Sequence, residues 1–80
     1  MENKIAIVGI IISDFSSVAT VNGILHDNME YIVGRLGLPY KQKGVNVISI
    51  VIDAPQPVIN ALSGKLGMVS VVTSKVLITK

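Results

Sequence analysis

Residues 5–12 read Ile-Ala-Ile-Val-Gly-Ile-Ile-Ile, and no alternation of apolar and polar types interrupts them. Side chains of a strand point to opposite faces with a period of two. Ile5, Ile7, Gly9 and Ile11 then share one face, and Ala6, Val8, Ile10 and Ile12 the other. Residues 45–52 nearly repeat the pattern, with Val45, Val47, Ser49 and Val51 against Asn46, Ile48, Ile50 and Ile52. A sheet with one wet face alternates apolar and polar residues. Two strands apolar on both faces must therefore lie centrally in a sheet covered on both sides. The first run is far too short to span a bilayer. Ser13-Asp14-Phe15 follows it where a signal peptide would carry a small-residue cleavage site. A buried strand over 4–12 explains the run better.

The remaining elements follow from periodicity and punctuation. Ser13, Asp14 and Ser16 are good N-cap residues. Val18, Val21, Leu25 and Met29 then fall on one helical face, while Ala19, Asn22 and His26 share another. A second strand is expected over 29–36, with Tyr31, Val33 and Arg35 on one face and Ile32, Gly34 and Leu36 on the other. A hairpin loop at 38–44 leads to a third strand over 45–52 that ends at Asp53. Pro55 and Pro57 mark a helix start. Val58, Ile59, Leu62 and Leu66 supply its stripe, and Gly64 or Gly67 its C-terminal cap. Residues 69–78 form the last strand. The order β-α-β-β-α-β is that of the α+β ferredoxin-like fold: a four-stranded antiparallel sheet with two helices on one face. Right-handed crossovers put both helices on the same side.

One domain over 1–80 is all that this length accommodates. A chain of 80 residues buries only about 60–65% of the surface exposed on unfolding. Chains of this size add a disulfide, a metal or a partner subunit. There is no Cys and only one His, so disulfides are excluded and no metal site or cofactor is expected. Association with further copies, as a dimer or a tetramer of dimers, is the remaining supplement. It would also cover the sheet face that the two helices leave open. The cytosol is the expected compartment, and no membrane attachment is expected.

Several activities are disfavoured. Seven basic against five acidic residues leave a net charge of +2, with no basic run and no aromatic-interleaved stretch, so no direct binding to DNA is expected. Ser63-Gly64-Lys65 lacks the first glycine of a phosphate-binding loop, and Leu66 stands where a hydroxyl should follow the lysine. A helix end with a Lys placed favourably for its dipole is the better reading. Asp27 and Glu30 are the nearest approach to paired carboxylates and read as a solvated helix end, so no enzymatic activity is expected.

The candidate site is His26, Gly34, Arg35, Gly37 and Pro39. Arg35 lies inside a short apolar strand between two glycines. Its planar guanidinium needs a carboxylate, a phosphate, a carbonyl or water. Gly34 and Gly37 permit close approach of a ligand or another backbone, and Pro39 stiffens the turn. His26 ends the preceding helix. Two readings stay open: an intersubunit structural contact, with Arg35 on Asp27, Glu30 or a neighbouring chain's carbonyl, and an effector site at a subunit interface.

The segments Val21-Asn22-Gly23-Ile24-Leu25-His26, Gly34-Arg35-Leu36-Gly37-Leu38-Pro39 and Ala61-Leu62-Ser63-Gly64-Lys65-Leu66-Gly67 occur here in order. Together they resemble the iron-only hydrogenase system regulators, over nearly the whole chain. The last segment, continued through Val71 to Lys75, is the most specific. The resemblance implies a ferredoxin-like fold akin to ACT domains and to the C-terminal domain of the nickel-responsive regulator. Those relatives assemble through their sheets and often bind effectors near subunit interfaces. The several His and the Cys that hold nickel there have no counterpart here, and neither does the DNA-binding domain. The expected function is a small oligomeric regulatory or ligand-sensing domain, linked to an iron-only hydrogenase system, with a small-molecule effector or a partner protein. The alternative is a structural protein-interaction module with no small ligand.

Overall fold

The computed structural model describes residues 2–79. Strand β1 (Asn3–Ile12) leads through a 3-10 turn at Phe15–Ser17 into helix α1 (Val18–Asp27). A second 3-10 turn at Met29–Tyr31 precedes β2 (Ile32–Tyr40). A third, Lys41–Lys43, joins β2 to β3 (Val45–Pro55), and α2 (Gln56–Gly67) and β4 (Val72–Ile78) complete the chain. The four strands form one antiparallel sheet in the order β2-β3-β1-β4. This is the α+β ferredoxin-like arrangement read from the sequence.

The two strands that are apolar on both faces take the two central positions. Ala6, Val8, Ile10 and Ile12 of β1 are buried with Ile48, Ile50, Ile52 and Ala54 of β3. Val21 and Leu25 of α1 and Ile59, Leu62 and Leu66 of α2 join the same cluster, so both helices cover one face. Full burial of an Ile or Leu side chain contributes about 1.5–3 kcal/mol. No polar or charged side chain is buried among the described residues.

The opposite face is uncovered. Register places Leu38, Val47, Ile11 and Thr73 in one row across the sheet, and Gly34, Val51, Ile7 and Leu77 in another. Between them runs the row Leu36, Ser49, Gly9 and Lys75. Ile7 is 44% and Leu77 70% exposed, so large apolar side chains stand in solvent on the same strands that fill the core.

Several boundaries differ from those expected. The 3-10 turn at Met29–Tyr31 delays β2 to Ile32, and Met29 leaves the helical face and stands 61% exposed. The strand then continues to Tyr40, because Leu38, Pro39 and Tyr40 still pair with Val47, Asn46 and Val45. Pro39 is thus in the strand and not in the turn, which an edge strand tolerates. Gly44 closes the hairpin with φ +67°, a left-handed conformation that suits glycine. Asp53 does not end β3, since it still pairs with Ile5. Asp14 caps the 3-10 turn before α1: its Oδ1 accepts from the Ser16 N–H at 3.0 Å. That backbone bond, aided by the Ser16 hydroxyl, holds the Asp14 carboxyl below its ordinary value. Neither Gly64 nor Gly67 forms a left-handed cap. Helix α2 runs through Gly67, and Met68 follows with φ −86° in the right-handed region. β4 starts at Val72, after a turn in which Val71 takes φ +58°.

Candidate functional site

The site is built where the second half of α1 passes the start of β2. Asn22 and His26 lie four residues apart and therefore on one side of the helix. Opposite them, β2 contains a bulge. Ile32 pairs with Ile52 and Gly34 with Val51, which leaves Val33 outside the ladder. A bulge re-aims the residues that follow it. Arg35 consequently pairs with Ile50 and faces the helices, and its Nη2 donates to Asn22 Oδ1. This overturns the expected division of β2, in which Ile32 and Arg35 occupied opposite faces.

An open cleft of about 760 Å³ lies here, lined by Asn22, Gly23, Leu25, His26, Asp27, Met29, Ile32 and Arg35. Its polar groups are an amide, an imidazole, a carboxylate and a guanidinium. Its apolar wall comes from Leu25, Met29 and Ile32. Asn28 Nδ2 donates to the Ile24 carbonyl at 2.8 Å and fixes the helix end beneath it.

Of the five site residues expected from sequence, His26 and Arg35 meet in this cleft. Gly34 faces the open side of the sheet, opposite Val51. Gly37 and Pro39 share Arg35's side of β2 but lie farther along it, opposite Ile48 and Asn46, outside the cleft. A Cβ added to Gly34 or Gly37 would meet nothing within 4 Å, so neither glycine is required by packing within the chain. Within the chain, Arg35 Nη2 donates to Asn22 Oδ1. Asn22, Met29 and Ile32 belong to the cleft and were not singled out as site residues from sequence, whereas Asp27 entered there as a candidate partner of Arg35. The shared helical face of Asn22 and His26 was the one signal for Asn22. Among the described residues, no group of three or more His, Cys, Asp or Glu side chains could hold a metal ion. Among the described residues, no helix is long and apolar enough to cross a membrane.

Comparison with known proteins gives a consistent picture. Residues 4–76 match the TM1266-like family, described as "Iron-only hydrogenase system regulator, putative". The solved structure of the uncharacterized protein TM1266 from Thermotoga maritima superposes with a TM-score of 0.94 at 34% identity, covering 99% of this chain and 100% of that one. A formyltetrahydrofolate deformylase from Pseudomonas putida KT2440 shares the fold over 91% of this chain and 28% of its own, with a TM-score of 0.66 and 11% identity. The de novo designed protein Foldit4 does so over 99% and 98%, with a TM-score of 0.62 and 13% identity. No curated protein matches.

Proposed function

The chain belongs to the TM1266-like family, and from that premise we propose that it is a self-associating, non-enzymatic regulatory domain of an iron-only hydrogenase system. The observation that carries this reading is the open sheet face. Four strands about 4.8 Å apart, each near nine residues at about 3.4 Å, span on the order of 600 Å² in projection. A stable interface buries about 800 Å² per partner. The face is therefore of the right order for a second copy, and Ile5, Ile7, Ile11, Leu36, Leu38 and Leu77 would all be desolvated there.

The cleft between α1 and β2 serves in this reading as the effector site, with Arg35 and His26 as its polar contacts. It lies on the helix-covered side, so an effector and a second copy occupy different surfaces. With a net charge of +2 and no DNA-reading motif, regulation acts through protein contacts and not through DNA. A cysteine-free chain suits the cytosol, which is the compartment we assign.

Sedimentation or light scattering at micromolar concentration tests the association. The expected mass is at least twice the 8.5 kDa of the chain. A clean monomer would overturn the reading.

A further inference from the structure

We propose that the cleft between α1 and β2 takes a small organic carboxylate, with its carboxylate on Arg35 and its apolar body against Met29 and Ile32. The inference rests on the reading of this cleft as the effector site and is independent of self-association.

Three features of the chain converge on the cleft, and folding alone requires none of them. The first is the bulge at Val33, which brings Ile32 and Arg35 to the same side of β2 and so places an apolar wall beside a guanidinium. The second is the bond from Arg35 Nη2 to Asn22 Oδ1. It uses one of the five guanidinium donors and holds the group in place. The remaining donors keep the planar fork that matches a carboxylate. The third is Gly23, inside α1. Glycine is among the least favourable residues in a helix interior. Nothing in the chain lies within 4 Å of a Cβ added there, so close packing does not demand it. Gly23 lines the cleft, and any side chain at that position would occupy it.

Charge selects the ligand class. Asp27 lines the same cleft at the C-terminal end of α1, where the helix dipole is negative. This field opposes any anion, in proportion to its charge, so a singly charged carboxylate on Arg35 is disfavoured less than a multiply charged phosphate. Met29, an unbranched and adaptable side chain, stands 61% exposed and supplies apolar surface that a fully polar ligand would not use. A volume of about 760 Å³ falls within the range of small-molecule sites.

The probes are 4-methylpentanoate, its neutral amide and inorganic phosphate, each titrated into 15N-labelled protein and followed by backbone amide shifts. The carboxylate is expected to give saturable shifts centred on Asn22, Gly23 and Arg35, and the amide none. Arg35→Gln should weaken binding at least about tenfold, the loss of a charge-assisted hydrogen bond. Gly23→Leu, which favours the helix, should fill the cleft and abolish binding while the rest of the spectrum is kept. Equal binding of the amide, or unchanged binding by Arg35→Gln, would overturn the proposal. Phosphate binding more tightly at the same residues would overturn the carboxylate class and leave the effector site standing. The absence of cleft shifts with all three probes would overturn both.

Discussion

Ile32 and Arg35 lie three residues apart on β2, yet both point to the helix-covered side, opposite the core residues Ile52 and Ile50. Residues an odd number apart in a regular strand face opposite ways. The unpaired Val33 resolves the conflict by adding one residue to the strand. The consequence is electrostatic as well as geometric. Without the extra residue, Ile32 in the core would put Arg35 on the open face. There any sheet-to-sheet contact would desolvate an unpaired charge.

Arg35→Ala should therefore leave the proposed self-association intact. The bond it removes is exposed and joins Arg35 to a neutral amide. Its loss should change stability by less than about 1 kcal/mol. Thermal melts and sedimentation of the variant check this. Dissociation would place Arg35 in a subunit interface and contradict its assignment to the cleft.

Much of this architecture is legible in the sequence because burial writes itself into periodicity. Ile5 to Ile12 and Val45 to Ile52 lack alternation, and they are the central strands. Val21 and Leu25, or Ile59, Leu62 and Leu66, repeat at helical spacing and are core. The site was less legible. A bulge has no hydrophobic signature, and Val33 resembles any strand residue. The 3-10 turn at Met29–Tyr31 is a continuation of apolar and polar types that a strand would also accept. Arg35 was recognisable as unusual because a charge among apolar strand residues needs a partner. That its partner is Asn22 depends on the bulge, and so on the fold as a whole.

Ile7 and Ile10 provide a contrast between the two faces of one strand. Ile10 is fully buried beneath the helices, while Ile7 is 44% exposed on the open face. Ile10→Lys would bury an unpaired ammonium and should unfold a chain this small. Ile7→Lys should leave the circular dichroism spectrum native and reduce the mass to that of a monomer. If Ile7→Lys keeps the oligomer, the sheet face is not the interface.

Asp14 gives a pH dependence. The Ser16 backbone N–H, with the Ser16 hydroxyl, lowers its carboxyl from the ordinary 3.8. A carboxyl with a depressed folded value contributes stability above its unfolded value and loses it as pH falls through the folded one. Asp14→Ala should lower Tm at pH 7, and the gap to wild type should close as pH falls below 3.8 and through the lowered folded value. Full exposure and salt screening keep the effect small. A gap that persisted undiminished at low pH would show that the carboxylate's charge is not what stabilises the turn.

Val71 holds a left-handed backbone, φ +58°, that β-branched residues rarely adopt. Its carbonyl accepts from the Ser13 N–H at 2.9 Å, so the turn before β4 is tied to the end of β1 and cannot relax independently. Such strain costs on the order of 1–3 kcal/mol. Asn tolerates this region, and the Ser13 bond uses only backbone. Val71→Asn should raise stability by roughly 1 kcal/mol, a Tm gain of about 4–8 °C in a domain of this size. A lower Tm would mean that the half-exposed valine side chain contributes more than the strain costs.

Gly9 offers the sharpest separation of folding from association. It lies mid-strand in β1, opposite Ser49 on one side and Lys75 on the other. Glycine weakens a strand interior by roughly 0.5–1 kcal/mol relative to Ala. A Cβ at Gly9 would meet nothing within 4 Å, so the chain's own packing does not exclude a larger residue. Gly9 and Ser49 form a shallow trough between the rows of Ile11 with Val47 and Ile7 with Val51. In a face-to-face pairing of sheets, apolar side chains of one copy interdigitate with those of the other, and a trough receives a ridge. Gly9→Val would favour the strand and fill the trough at once. The expected result is a protomer more resistant to urea when assayed at a concentration low enough for light scattering to give the monomer mass. The same substitution should weaken the proposed self-association in a concentration series by light scattering. A variant that gains protomer stability and keeps full association would show that the second copy does not use the trough.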